Sequence, residues 1–188
     1  MNKILDLHQY YEEYNNNIKP DWLFDKLDFL KKKIIKTKGS GGKIVFAGNG
    51  ASAAIASHVA LDFTKQANVR AVTFHDPGLI TAFVNDFGGD LWLSNACDMY
   101  MDENDLAIFI SVSGESPNVV NAAHKLLSRD IETISFTGKS KDNNLGQVAA
   151  LNFWVDSHAY NIVECIHMIW VTTVIDAIVG KAEYEVSF

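Results

Sequence analysis

The chain has little cysteine and few basic residues, and each shortage excludes a class of protein. Its two cysteines, Cys97 and Cys165, are far apart and form no C-x-x-C pair. This usage indicates a reducing compartment and excludes a disulfide-stabilised scaffold. The 16 Lys and Arg are outnumbered by 23 Asp and Glu, which gives a formal net charge of −7. Nucleic acid is therefore not an expected partner, because binding its phosphates needs clustered basic side chains.

The chain also lacks long apolar runs. Its first residues contain no uninterrupted apolar segment, so a signal peptide is not predicted. The longest apolar stretch, residues 166–179, is interrupted by Thr172, Thr173 and Asp176. We expect it to be too short and too broken to span a bilayer. These observations predict a protein that binds no membrane and resides in the cytoplasm.

Predicted strands alternate with predicted helices over most of the 188 residues. Two helices come first, in residues 1–38, and an α/β core is predicted over residues 43–181, so that 1–188 form one domain. The predicted strands are 43–47, 69–74, 105–111, 132–137 and 151–155. Helices are predicted at 53–65, 78–84, 117–127, 144–149 and 161–181, and 90–101 is predicted to be helical or irregular. This alternation predicts a five-stranded parallel sheet between two layers of helices, with ligands at the carboxyl ends of the strands.

The first strand is followed by the small residues Gly48-Asn49-Gly50-Ala51-Ser52 and then by a helix. A turn of this kind leaves free backbone N–H groups at the positive end of a helix dipole, which suits a phosphoryl group. The turn is neither G-x-G-x-x-G nor a lysine-containing P-loop, so a dinucleotide or a nucleoside triphosphate is not the first expectation. The alternative is that the glycines only close a strand-to-helix corner.

A second turn, Ser111-Val112-Ser113-Gly114-Glu115-Ser116, follows the third strand and precedes a helix. Three hydroxyls and the amides of a helix start converge there, so the turn can surround a phosphoryl group without a lysine. The alternative is that Ser116 only caps its helix and the other serines only satisfy the turn. Taken together, the two turns favour phosphate binding.

In order and spacing, these turns, with Asn85-Asp86-Phe87-Gly88 and Thr137-Gly138-Lys139, resemble the sugar isomerase (SIS) domain family and, within it, the bacterial phosphoheptose isomerases. The resemblance covers residues 43–179 and extends to the two leading helices. It implies a flavodoxin-like fold, a homotetramer with active sites at subunit interfaces, and a phosphorylated sugar as ligand. The substrate-binding residues it implies are Asn49, Gly50, Ser52, Asp86, Ser111, Ser113, Ser116 and Thr137.

Acid–base and metal-binding candidates lie on two helices. His58 and Asp62 are spaced i, i+4 and share one helix face, where they can hold a metal, act as a base and its orienter, or form only a surface hydrogen bond. Glu164 lies in the apolar closing helix, where a buried acid needs a partner. The resemblance implies that His58, Asp62 and Glu164 hold Zn²⁺ and that Asp62 or Glu164 is the catalytic base.

Three positions depart from the pattern that the resemblance implies. The family has Glu where this chain has Asp62 and Asp where it has Asn161. Where this chain has Thr172, the family has a His that serves as a zinc ligand and as the general acid. His167 points elsewhere and is predicted to be a packed or hydrogen-bonded histidine. His158, after the fifth strand, is the candidate for a replacement catalytic acid.

Two functions remain open at this point. The resemblance implies an isomerase that converts sedoheptulose 7-phosphate to D-glycero-D-manno-heptose 7-phosphate through an ene-diol(ate), for surface polysaccharide. The alternative is a non-catalytic sugar-phosphate-binding regulator, like SIS relatives that associate with the DnaA initiator. The three departures favour the alternative, whereas the intact phosphate-binding turns are compatible with both.

Overall fold

A computed structural model describes residues 5–183 of the chain as eight helices and five strands. The helices are α1 (Leu7–Ile18), α2 (Leu23–Gly39), α3 (Ala51–Lys65), α4 (Pro77–Phe87), α5 (Trp92–Tyr100), α6 (Pro117–Leu127), α7 (Asn144–Val148) and α8 (Tyr160–Val179). The strands are β1 (Ile44–Gly48), β2 (Ala71–Thr73), β3 (Leu106–Ser111), β4 (Thr133–Thr137) and β5 (Leu151–Trp154).

The five strands form one parallel sheet in the order β2-β1-β3-β4-β5. Helices cover both of its faces, so the predicted three-layer α/β architecture is confirmed. The strand order reverses between β1 and β3, because the chain first moves outward to β2 and then returns to the other side of β1. Ligands of open parallel sheets bind at such a reversal, beyond the carboxyl ends of the strands.

The core consists of two apolar layers, one on each face of the sheet. Every residue of β1, β3 and β4 is buried, which explains why β1 and β3 read as nearly continuous apolar runs. Ile44 and Phe46 of β1 pack toward α2, α3 and α8, and the Phe46 ring stacks on Phe63 with centroids 5.4 Å apart. Val45 and Ala47 point to the opposite face, toward α5 and α6.

The two leading helices attach to α8 in different ways. α2, the second of the two predicted helices, buries apolar residues at helical spacing: Leu23, Leu27, Leu30 and Ile34. α1 contains no fully buried residue and is joined to α8 by hydrogen bonds. The Tyr14 hydroxyl donates to the Asn161 carbonyl at 3.3 Å, and the indole of Trp170 donates to the Ile18 carbonyl at 2.8 Å.

Three boundaries differ from the sequence prediction. The second strand is shorter than the predicted 69–74, because only residues 71–73 pair with β1. The helix predicted at 78–84 continues to Phe87, so the Asn-Asp-Phe sequence forms its last turn instead of a loop. Residues 92–100 form a regular helix whose side chains cover the sheet. Residues 1–4, at the start of the predicted helical segment, lie outside the described residues.

The closing helix, predicted over residues 161–181, spans Tyr160–Val179 and so begins before the apolar stretch 166–179. α8 has 20 residues and, by length and composition alone, is long and apolar enough to cross a membrane, so the expectation that it is too short is wrong. Eight of its residues are nevertheless buried against the sheet and the neighbouring helices. This burial explains the apolar composition, as in the core helix of a globular domain.

His167 is a packed histidine, as predicted. It is fully buried on α8, its Nε2 donates to the Thr137 carbonyl at 3.0 Å, and its ring contacts Phe136 edge-on. Its Nδ1 has no hydrogen-bond partner within residues 5–183. Burial lowers the pKa of His167 from 6.5 to about 4, so the ring is neutral in the folded protein.

This burial predicts a pH-dependent loss of stability. The folded-state pKa lies below the unfolded value of 6.5, so the stabilisation is complete above pH 6.5 and is lost as the pH falls toward 4. The free energy of unfolding should decrease by about 3 kcal/mol over this range through His167 alone. Denaturant titrations at several pH values measure the loss.

The variant His167→Gln keeps a donor for the Thr137 carbonyl but does not titrate, so its unfolding free energy should fall less steeply with pH. His124→Gln removes an exposed histidine of α6 and serves as the matched control. Parallel losses of stability in the wild type and in His167→Gln would contradict the assignment.

Candidate functional site

The first corner lies where β1 ends and α3 begins. Gly50 has φ +56° and ψ −125°, a conformation that L side chains rarely adopt, so glycine is required for this turn. Ser52 lies in the first turn of α3 and is only 4% exposed. The first N–H groups of α3 and the Gly50 backbone therefore face the carboxyl edge of the sheet, as the sequence predicts.

The second corner lies where β3 ends and α6 begins. The Ser111 hydroxyl accepts a hydrogen bond from the Gly114 N–H at 3.2 Å, and the Ser113 hydroxyl accepts one from the Glu115 N–H at 3.1 Å. Ser116 occupies the N-cap position of α6, but its side chain makes no capping bond, and its oxygen lies 3.5 Å from that of Ser111. This arrangement favours a ligand-binding role for Ser116 over a purely capping role.

The two corners are held together by a pair of asparagines. Asn49, after β1, and Asn118, in the first turn of α6, exchange two side-chain hydrogen bonds, each 3.0 Å long. The pair joins both corners at the point where the strand order reverses, so both can face one ligand. Sequence reasoning missed Asn118, although its position two residues after Ser116 places it at the same helix start.

Thr137 and Asp86 occupy different surroundings from the two corners. Thr137 ends β4 next to β3, but it is fully buried, and its hydroxyl donates to Asn152 at 2.9 Å and accepts from Asn143 at 3.0 Å. These bonds make Thr137 a support for the loop after β4. Asp86 lies exposed in the last turn of α4 and accepts a hydrogen bond from the Asn85 amide at 2.9 Å. Direct substrate contacts from Thr137 and Asp86 stay predictions.

A broad groove of about 750 Å³ runs between α3 and α8. It begins at Ala51, directly after Gly50, so it is continuous with the first corner. His58 enters it from α3 and Glu164 from α8, and most of the other lining residues are apolar. The groove therefore brings together two of the predicted acid–base residues beside the predicted phosphate site. Its lining residues are Ala51, Ala54, Ile55, His58, Asn161, Glu164, Cys165, Met168 and Ile169.

His58 and Asp62 form the contact that their i, i+4 spacing predicts. The His58 Nε2 lies 3.3 Å from an oxygen of Asp62, with the His58 side chain 52% exposed and the Asp62 side chain 17% exposed. Asp62 can therefore orient the imidazole. Glu164 is half-buried on α8, and burial raises the pKa of its carboxyl above the ordinary value of 4.5. A raised pKa suits a carboxyl group that exchanges protons with a substrate.

The predicted zinc ligands do not fit a metal site by themselves. Residues 5–183 contain no group of three or more His, Cys, Asp and Glu side chains arranged to hold a metal ion. His58 and Asp62 satisfy each other, and Glu164 does not complete a three-ligand set with them. Zinc at His58, Asp62 and Glu164 therefore stays a prediction.

Thr172, one of the positions that depart from the pattern implied by the resemblance, is bonded locally. The Thr172 hydroxyl donates back to the Met168 carbonyl at 2.8 Å, so it is bonded within its own helix.

His158 is exposed after β5, the edge strand two positions from β3. With neighbouring strands about 5 Å apart, His158 follows a strand about 10 Å from the serine corner. This placement favours Glu164 over His158 as the proton-handling group.

Comparison with known proteins gives the family of this fold and site. The SIS domain model matches residues 40–174. The chain is 32% identical over 151 residues to a phosphoheptose isomerase of Nitratidesulfovibrio vulgaris, covering 77% of this chain and 72% of that relative. It is 29% identical to a probable phosphoheptose isomerase of Thermoplasma volcanium, over 88% of this chain and 87% of the relative.

A solved structure of phosphoheptose isomerase from Neisseria gonorrhoeae has the same fold. It superposes with a TM-score of 0.83 at 24% sequence identity and covers 91% of this chain and 94% of its own. The family match spans both corners, the His58–Asp62 pair and all the lining residues of the groove. The chain therefore belongs to the SIS domain family.

Proposed function

We propose that this protein is a phosphoheptose isomerase that interconverts sedoheptulose 7-phosphate and D-glycero-D-manno-heptose 7-phosphate. The observation that carries the proposal is the continuity of the two joined corners with a groove that holds His58 and Glu164. The names of the relatives from N. vulgaris and T. volcanium support the same reaction. We expect the enzyme to act in the cytoplasm.

The dimensions of the site suit a long, open-chain sugar phosphate. His58 lies seven residues beyond Ala51 on α3, about 10 Å along the helix axis. An open-chain heptose phosphate carries its phosphate at one end and its reacting carbons, C1 and C2, at the other. The phosphate can therefore sit at the two corners while C1 and C2 reach the acid–base residues.

The reaction needs one base and a donor to the oxygen on which negative charge develops. The base removes a proton from C1 of the ketose, which gives an ene-diol(ate), and returns a proton to C2, while the hydroxyl proton of O1 is transferred to O2, so that the aldose forms. Glu164 faces the groove and is our candidate base, with Asp62 as the alternative. His58, oriented by Asp62, is our candidate donor to the oxyanion. No step is assigned to zinc, because the described residues do not form its site.

A non-catalytic sugar-phosphate-binding protein is the second candidate. Thr172 bonded within its own helix and Asn161 in place of an acid favour it, because neither side chain supplies an ionisable group. The two corners would bind a phosphorylated sugar in either case. We expect a homotetramer under both proposals, as the family resemblance implies.

Turnover of sedoheptulose 7-phosphate, measured with and without added Zn²⁺, tests the first proposal. We expect heptose 7-phosphate to form, and the zinc content of the purified protein shows whether metal accompanies activity. Binding of sedoheptulose 7-phosphate by calorimetry is measured on the same preparation. Binding without turnover at any zinc concentration would overturn the isomerase and support the regulator.

The variant Ser113→Ala should weaken sugar-phosphate binding under either proposal, because it removes one hydroxyl from the second corner. We expect the dissociation constant to rise about tenfold, the loss typical of a hydrogen bond to a charged group. The matched control is Ser128→Ala, at the opposite end of α6. It removes a hydroxyl that donates to the Lys125 carbonyl. Equal affinities of Ser113→Ala and Ser128→Ala would contradict phosphate binding at this corner.

The variants Glu164→Gln and Asp62→Asn identify the base. The pKa of Glu164 is raised by burial. We therefore expect kcat/KM to fall as the pH drops through this raised pKa, because the carboxylate becomes protonated and can no longer act as a base. Glu164→Gln should lose about 10²–10⁴-fold in kcat and the acid limb of the pH profile. Asp62→Asn should keep the acid limb of the pH profile if Asp62 only orients His58. If Asp62→Asn loses the acid limb and Glu164→Gln keeps it, the base is Asp62 and not Glu164.

A further inference from the structure

The serine turn after β3 is fastened to the loop that follows β4. The Glu115 carboxylate accepts two hydrogen bonds from Asn144, one from its backbone N–H at 2.9 Å and one from its side-chain amide at 2.5 Å. Beside them, the Leu145 N–H donates to the Gly114 carbonyl at 2.9 Å. Three hydrogen bonds therefore join residues 114–115 to residues 144–145.

Asn143 provides a fixed surface beneath this contact. It is fully buried, and its amide donates to the Thr137 hydroxyl at 3.0 Å and the Ser140 carbonyl at 2.8 Å, while its oxygen accepts from the Gly146 N–H at 2.8 Å. A Cβ atom at Gly114, where φ is +65°, would lie 2.0 Å from the Asn143 oxygen. The serine turn therefore packs directly on a side chain that cannot easily move.

The contact fixes the hydroxyls that face the ligand. Gly114 and Glu115 donate their N–H groups to the oxygens of Ser111 and Ser113, so the backbone at 114–115 sets the position of both hydroxyls. A hydroxyl that accepts from the backbone keeps its own proton to donate. The Ser111 hydroxyl directs its proton to the Ser116 oxygen at 3.5 Å, and the Ser113 hydroxyl can donate to an anion. The placement of both hydroxyls at the proposed phosphate site thus depends on the backbone that Asn144 holds through Glu115.

We propose that Glu115 and Asn144 are positioning residues for phosphate binding, a role that rests on the proposed sugar-phosphate function. They hold the serine turn in its binding conformation before the ligand arrives, so the ligand does not have to order it. The Glu115 carboxylate does not itself bind the phosphate, because both of its oxygens are occupied by Asn144 and its charge would repel the anion. The role therefore concerns affinity and not the chemical step.

The variant Glu115→Ala tests the proposal. The dissociation constant and KM for sedoheptulose 7-phosphate should rise about tenfold, while kcat changes less than about twofold. Inorganic phosphate, used as a competitor, should lose affinity by a similar factor. Glu132→Gln is the control, because it removes a carboxylate contact to Lys33 before β4, at the opposite edge of the sheet.

The double variant Glu115→Gln/Asn144→Asp reverses the direction of the side-chain hydrogen bond. The new amide would donate to the new carboxylate, and its oxygen would still accept from the backbone N–H of residue 144. Asn144→Asp alone places two carboxylates together and should bind ligand most weakly. Affinity restored in the double variant to within about threefold of the wild type would support the contact as the cause.

Unchanged KM and phosphate affinity in Glu115→Ala would overturn the proposal, as would a loss confined to kcat. If Glu115→Ala does not fold, Glu115→Gln alone keeps one acceptor, and melting temperatures show whether binding and stability change together. A wild type that binds sedoheptulose 7-phosphate without turnover would remove the isomerase function and leave this inference testable through dissociation constants. If the wild type binds neither sedoheptulose 7-phosphate nor inorganic phosphate, both the proposed function and this inference are overturned.

Discussion

The site depends on a geometric constraint of the sheet: β1 and β3 are parallel neighbours, so the turns that follow them meet at one edge. The paired amides of Asn49 and Asn118 then fix the distance between those turns. Two helix starts, α3 and α6, direct their free N–H groups and positive dipole ends toward the same region. A phosphate can therefore be bound by amides and hydroxyls, without a lysine from either turn.

Most of the fold could be predicted from the sequence because its signals are local. Strands buried on both faces give continuous apolar runs, such as 106–110, and Ser116-Pro117 marks the start of α6. The second strand was predicted too long because its pairing, not its composition, decides where it ends. The extent of α4 was missed because Asn85-Asp86 resembles a turn, although Gly88, with φ +79°, is the residue that ends the helix.

Only the part of the candidate site that depends on local contacts could be predicted from the sequence. Residue types and helical spacing identify the two corners and the His58–Asp62 pair, since these contacts lie within one turn or one helix. The Asn49–Asn118 pair and the Glu115–Asn144 contact join residues 69 and 29 positions apart, and no local pattern predicts them. The buried network around Thr137 likewise depends on Asn143 and Asn152, which the sequence does not distinguish from loop residues.

The departures from the pattern that the resemblance implies concern the proposed chemistry and not the proposed phosphate site. The proposed phosphate site consists of backbone N–H groups and short hydroxyls, whose positions follow from the fold. Proton transfer needs a carboxylate within hydrogen-bond reach of one carbon, so the length of a side chain matters. Among the described residues that line the groove are His58 and Glu164 but not Asp62, whose carboxylate instead contacts His58. This difference in placement is why we propose Glu164 as the base and Asp62 as the residue that orients His58.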